Sequence, residues 1–239
     1  MDEQQTLSTH IIAVASGKGG VGKSTVTVNL AIALHQLGWR VGVLDCDIYG
    51  FSVPRLLGVE GEHPDIHNGK MVPINAHGLK IMSMGFFVEE NTPVIWRGPL
   101  LGKVLHQFLD DVDWGDLDYL LLDLPPGTGD MALNVAQSIP DAKLLVVTTP
   151  QELAAGVASR AAQMARKTGQ QIIGVVENMA GFVCPHCQQK TTVFGAGGGA
   201  RLAEELGVPL LSELPLVSQQ GENNESYAEL AAKVAAILS

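Results

Sequence analysis

Cysteine is scarce: Cys46, Cys184 and Cys187 are the only three in 239 residues. Three thiols cannot build a disulfide framework, and in a reducing compartment a close pair reads as a metal or redox site rather than a structural staple. Basic side chains are few as well, 15 Lys and Arg against 25 Asp and Glu, for a net charge of −10. That balance opposes a general affinity for nucleic acid or anionic lipid, so no nucleic acid and no membrane is expected as a partner, a local basic patch aside. Long apolar runs are missing: none approaches the roughly 18 residues of a membrane span. The opening MDEQQTLSTH lacks the basic and apolar regions of a secretory signal. A soluble, cytoplasmic protein is expected. What remains, 46% apolar and only 17% charged residues, suits a folded core, with a polar tail at 1–9 followed by a single domain at 10–239.

Short apolar, β-branched runs alternate with helical patterns. HIIAVAS runs into a glycine loop and then STVTVNLAIALHQLG, a helix ended by Gly38. RVGVLDCD, GLKIMSMG, DYLLLDLPP, AKLLVVTTP and QIIGVVENM are five further strands, with helices near 99–110, 129–139, 151–168 and 197–206. GVPLLSELPL adds one more short strand and ESYAELAAKVAAIL a closing helix. The Gly-, Pro-, His- and Asn-rich segment 58–78 is expected to be a hairpin or long loop. This alternation predicts an α/β fold, a doubly wound, mostly parallel sheet with helices on both faces.

Gly17, Gly22, Lys23 and Ser24 satisfy G-x-x-x-x-G-K-[ST] between a predicted strand and helix, the context a phosphate-binding loop requires. Backbone amides of Gly17, Gly19, Gly20, Val21, Gly22 and Thr25 are candidates to turn toward phosphate oxygens. Lys23 would reach the β and γ phosphates and Ser24 would face Mg²⁺. Lys18 is a second lysine where one suffices. It is either a solvated loop residue or a charge aimed at phosphoryl transfer. Asp45 and Asp47, two apart at a strand end, project to one side if the chain stays extended. Both would then face Mg²⁺ and the attacking water, unless they merely cap a polar strand end. Asp123 ends an apolar strand, where it can hold a water of the Mg²⁺ shell. Gly127 is placed to offer an amide to the γ phosphate, and Pro125 and Pro126 stiffen that loop.

Cys184 and Cys187 stand at C-x-x-C spacing in GFVCPHCQQK. Structural zinc and iron-sulfur sites want about four ligands. Three arrangements remain: a thioredoxin-like dithiol, a one-chain zinc site recruiting a histidine, and a site shared across a twofold axis that gathers two such pairs. Cys46 alternates away from Asp45 and Asp47 and should be a core residue. His63, His67 and His77 lack metal-ligand spacing and are expected to be solvated loop residues. The run FGAGGGARLAEELG most simply starts a helix, and a role in covering the cysteine site is the alternative.

The string KGGVGKST resembles the deviant Walker A motif of the family that includes MinD, ParA, the nitrogenase iron protein and the Mrp/ApbC proteins. LDLPPGTGD is closest to the Mrp/ApbC branch, and the ordered motifs DCDIYG, ENM, CPHC and FGAGGG extend the resemblance from about residue 10 to 220. The resemblance implies a homodimeric ATPase in which Lys18 reaches the nucleotide of the opposite subunit. It makes Asp47 the switch aspartate that prepares water, with Asp45 in support, and Asn178 the residue that reads adenine, with Pro215 closing over the base. It further implies a labile 4Fe-4S cluster held by Cys184 and Cys187 of both subunits and handed to apo iron-sulfur proteins. A cluster-assembly scaffold would be its donor, and slow hydrolysis would be coupled to loading or release. Many members carry an extra small N-terminal domain. Ten residues before the first strand leave no room for one, so its contribution is not expected here.

A MinD- or ParA-like positioning switch for membrane or DNA is the rival reading. It calls for a basic amphipathic terminal helix, whereas ESYAELAAKVAAIL has one Lys and two Glu. A plain metabolic kinase would leave Lys18 and the cysteine pair unexplained.

Overall fold

The computed structural model describes residues 9–47, 50–87, 105–127, 133, 137–151, 154–184, 186, 187, 189–216 and 224–239. In chain order the elements are β1 (His10–Ser16), α1 (Lys23–Gln36), β2 (Val41–Asp45), α2 (Val53–Leu57), β3 (Ile66–His67), β4 (Lys70–Met71), β5 (Ile74–Ala76), β6 (Leu79–Ser83), β7 (Tyr119–Asp123), β8 (Lys143–Thr148), α3 (Ala154–Thr168), β9 (Ile172–Val183), β10 (Lys190–Thr191), α4 (Gly198–Leu206), β11 (Leu210–Leu216) and α5 (Asn224–Leu238). The main sheet runs β10-β9-β8-β1-β7-β2-β6-β5, with β11 also on β9. Strands β9 through β6 in that order are all parallel, β11 is parallel to β9, and β5 and β10 run antiparallel to their neighbours. The fold is therefore the mostly parallel α/β sheet that alternating buried strands and helices require. Segment 58–78 contains the expected hairpin, β3 paired with β4, followed by β5. The helix expected at 99–110 is described only over 105–110, and the one at 129–139 lies largely outside the described residues, as does nearly all of the tail at 1–9. Among the described residues no helix is long and apolar enough to cross a membrane.

Both faces of the central strands are covered, and period-2 alternation sorts their side chains into two cores. Ile12, Val14, Val41, Val43, Tyr119 and Leu121 pack with α1 and α5 in one. Ala13, Leu44, Cys46, Leu120, Leu122 and Leu124 pack with Phe108 and Trp114 in the other. The same alternation directs Ser16, Asp45 and Asp123 to the face that α1 covers. Helix α1 is buried over most of its circumference, through Val26, Val28, Leu30, Ala31 and Leu34, because it is enclosed between the sheet and α5. Insertion of β7 between β1 and β2 sets Asp123 level with both Val14 and Asp45. Three strand ends thus meet where α1 begins.

Strand β9 runs past the end of the expected QIIGVVENM, twelve residues from Ile172 to Val183, and delivers the chain directly to Cys184. Its register with β11 slips between the pairs Asn178↔Leu214 and Phe182↔Leu216. Four steps on β9 thus oppose two on β11. Pro215 lies at the slip, having no N–H for the ladder, and Met179 takes φ 60 within the resulting bulge. The glycine run has a packing reason. Gly199 donates its amide to the buried Glu177 carboxylate, at the positive end of α4. A Cβ there would lie 2.6 Å from Glu177 Cβ and 3.0 Å from its Oε2. Gly199→Ala should cost about 1–3 kcal/mol by overpacking, read as a lowered Tm in thermal unfolding. An unchanged Tm would mean that α4 can withdraw from β9.

Candidate functional site

The loop between β1 and α1 turns at Gly22, whose φ of 81 serves as the N-cap position without any side-chain cap. The first amides of a 14-residue helix are therefore left for an anion. Ser16 Oγ donates to the carbonyl of Lys18 at 3.0 Å. Lys23 is buried, and its ammonium pairs with Asp123 Oδ1 at 2.7 Å. Ser24 Oγ donates to Asp123 Oδ2 at 2.6 Å and Thr27 Oγ1 to Oδ1 at 2.9 Å. One buried carboxylate thus gathers three side chains from the first two turns of α1. A cavity of about 270 Å³ opens beside them, lined by Ser16, residues 18–25, Asp47, Ser52, Arg55, Leu56 and Pro126. Lys18, Gly19 and Gly20 are its solvent-exposed lip.

Asp47 lines this cavity and Asp45 does not. Asp45 accepts from the amide of Asp47 at 3.0 Å, from the amide of Val53 at 3.3 Å and from Ser83 Oγ at 3.2 Å. Its carboxyl is pushed up to about 8, first by complete burial and then by the charge of Asp123; the two amides and Lys23 act the other way. The pair expected to face one ion is thereby divided: Asp45 anchors the loop and Asp47 reaches the cavity. The Gly127 amide donates to Ser16 O at 3.1 Å. Asn178 Nδ2 donates to Val21 O at 2.9 Å and packs against Gly22, bracing the phosphate loop from β9. Pro215 is half-buried in β11, next to Leu214, which pairs with Asn178.

Cys184 and Cys187 lie apart from this cavity, at the turn between β9 and β10. The Cys184 amide donates to Gln189 O at 3.1 Å, closing the hairpin. Cys184 is half-buried and Cys187 exposed. Amides of Cys187 and His186, together with the Cys187 side chain, are directed at the Cys184 sulfur and lower its thiol below the ordinary value. Among the described residues no group of three or more His, Cys, Asp or Glu converges in metal-binding geometry. Cys46 is buried in the second core, and burial raises its thiol well above the usual range; it is a packing residue, as alternation requires. His63 and His77 each bond a backbone carbonyl through a ring nitrogen, Phe86 O and Leu57 O respectively.

Four residues of the site escaped the sequence reading. Thr27 carries a detectable signal, a hydroxyl one turn after Lys23 on the buried side of α1. Ser52, Arg55 and Leu56 reach the cavity because α2 folds back beside the loop, and only the Ser-x-Pro start of α2 hints at them.

A phosphate-binding loop with its buried lysine, on a doubly wound sheet, defines the class: a P-loop NTPase. The model of the NUBPL iron-transfer P-loop NTPases, within the ParA group, matches residues 8–236, and the chain belongs to that family. It is 57% identical over 205 residues to an iron-sulfur cluster carrier protein of Bacillus subtilis, covering 86% of this chain and 58% of the relative. A carrier protein of Methanocaldococcus jannaschii is 51% identical over 210 residues, at 87% and 72% coverage. The chain spans little more than half the length of the Bacillus relative. Among solved structures, a nucleotide-binding protein of Archaeoglobus fulgidus in complex with ADP, with cobalt found, is 40% identical with a TM-score of 0.79, covering 93% of this chain and 86% of that one. MinD of Pyrococcus horikoshii shares the fold, with a TM-score of 0.68 at 20% identity and coverage of 97% and 98%.

Replacing Asp123 with Asn strands a buried ammonium. Asp123→Asn should destabilise the nucleotide-free protein by about 3 kcal/mol. Saturating ADP should recover part of the loss, because phosphate takes over as the counter-charge of Lys23. The comparison of Tm with and without ADP checks both, and a variant as stable as wild type without nucleotide would contradict the account.

Proposed function

We propose that the chain is a homodimeric ATPase that carries a 4Fe-4S cluster as cargo and delivers it to apo iron-sulfur proteins, receiving it from a cluster-assembly scaffold. The observation that carries the reading is the cysteine hairpin: two thiols at one exposed turn, amides aimed at one sulfur, and no further ligand group among the described residues. A twofold axis beside this turn supplies the other two thiolates.

Lys23 and the amides of Gly17, Gly19, Gly20, Val21, Gly22 and Thr25 bind the phosphates. Exchange of Asp123 for phosphate keeps Lys23 paired throughout. The hydroxyl of Ser24 and the carboxylate of Asp47 are hard oxygen donors at one cavity and fit Mg²⁺, with the buried Asp123 carboxylate behind Ser24. When bound, Mg²⁺ neutralises phosphate charge as it develops. Asp47 orients water at the cavity wall and Lys18, on the exposed lip, reaches across the dimer to stabilise the leaving phosphate. Gly127 exchanges its bond to Ser16 for a γ-phosphate oxygen, so the loop at Pro125 and Pro126 responds to hydrolysis. Asn178 serves the adenine edge while bracing Val21, with Pro215 behind it.

The direct test is iron, sulfide and zinc content after anaerobic reconstitution, with solution mass on the same sample. About four irons and four sulfides per dimer are expected. Zinc alone, or a metal-free dimer with full ATPase activity, would overturn the carrier reading. Cys184→Ser should lose iron and sulfide while retaining ATP binding. Lys18→Ala should slow hydrolysis about a hundredfold with a much smaller change in ATP affinity; normal turnover would exclude the trans role.

A further inference from the structure

Serine at the start of a helix ordinarily turns its hydroxyl back to cap the first amides. Ser52 stands at that position before α2, with Pro54 in the first turn, yet its side chain makes no capping bond. Instead Ser52 Oγ reaches Gly50 O at 2.9 Å and Ser24 Oγ at 3.3 Å, and it lines the phosphate cavity. Ser24 in turn gives its proton to Asp123, so its lone pairs face Ser52 and the cavity. Adjacent oxygens on an octahedral Mg²⁺ with bonds of about 2.1 Å lie roughly 3.0 Å apart. The two hydroxyls are already close to that separation.

We propose that Ser52 is a further protein ligand of the nucleotide's Mg²⁺, its hydroxyl beside that of Ser24. The assignment rests on the nucleotide-binding reading of this cavity and reassigns the part that spacing had given to Asp45. Asp45 is spent on backbone: its Oδ2 holds the amide of Val53, the residue next to Ser52, and its Oδ1 holds the amide of Asp47. The buried carboxylate is therefore a positioning residue, fixing Asp47 on one side and Ser52 on the other at the cavity wall. Metal binding through Ser52 ties the start of α2, with Arg55 and Leu56, to the phosphate loop, so this wall is held whenever a metal-nucleotide complex is present.

The test is Mn²⁺ binding to the 239-residue chain saturated with ADP, followed by the loss of the free Mn²⁺ signal in electron paramagnetic resonance. Ser52→Ala should weaken Mn²⁺ about tenfold, Ser52→Thr should keep nearly wild-type affinity, and ADP affinity in excess chelator should be the same in all three. An alanine variant that binds Mn²⁺ as wild type does would overturn the proposal. So would an equal loss in both variants, or a parallel fall in metal-free ADP affinity, either of which makes Ser52 a packing residue. Wild-type protein that binds no ADP at all would instead remove the nucleotide reading on which the assignment rests.

Discussion

The Asp123 carboxylate is the interaction on which the rest of the site depends. It is buried, and it meets the ammonium of Lys23 and the hydroxyls of Ser24 and Thr27 within 3 Å. An ammonium buried to this extent is costly without a counter-ion, because it has given up its hydration. Asp123 supplies that charge from a position set by strand register rather than by any flexible loop. β7 carries it between β1 and β2, level with Val14 and Asp45. The start of α1 is thereby held to the sheet before any phosphate arrives, so a phosphate entering the loop replaces an existing partner and orders little that was free.

Strand β9 joins the two places where chemistry is concentrated. At Asn178 it holds the carbonyl of Val21 in the phosphate loop. At Glu177 it holds the amide of Gly199 at the head of α4, and at its end it presents Cys184. Six residues of strand span roughly 20 Å, paired with β11 as far as Phe182 and with β10 at Phe182 and Val183, with a left-handed residue, Met179, in the bulge between. A strained residue persists only where its surroundings over-determine it, and here both flanks of the bulge are fixed by partners. In the proposed function, a change at the phosphate loop reaches the cysteine turn along one covalent element.

Much of this was legible in the residues themselves. Apolar strands covered on both faces, the glycine loop before α1, and the acid at the end of β7 all follow from local pattern, and local pattern is what periodicity and motif spacing record. The division of Asp45 from Asp47 was not legible, because it depends on the chain leaving the extended conformation after β2, so that the amides of residues 47 and 53 close on Asp45. Ser52 and Arg55 were hidden for a related reason: their place is set by how α2 folds back, a tertiary event without a period. Asn178 was visible as a polar strand end, but its bond to Val21 spans 157 positions in the chain. The glycine run was legible as the start of a helix, whereas the lack of room that puts glycine at 199, against Glu177, was not.

The cysteine turn differs from the rest of the molecule in what its loss would cost. Neither Cys184 nor Cys187 belongs to any of the hydrophobic clusters, and the turn is closed by backbone bonds of its own, Cys184 to Gln189 and β9 to β10. A structural metal site is the opposite case, since there the binding free energy is folding free energy and removal of the metal unfolds the domain. A ligand pair outside the core, on a hairpin that stands without it, contributes little to the fold whether loaded or empty. The affinity of such a site is then set by the thiolates and by how two copies meet, and both can change while the sheet does not. That is the physical requirement for holding a cargo that has to leave, and it is why the proposed reading favours a carrier over a protein in which the metal is part of the architecture.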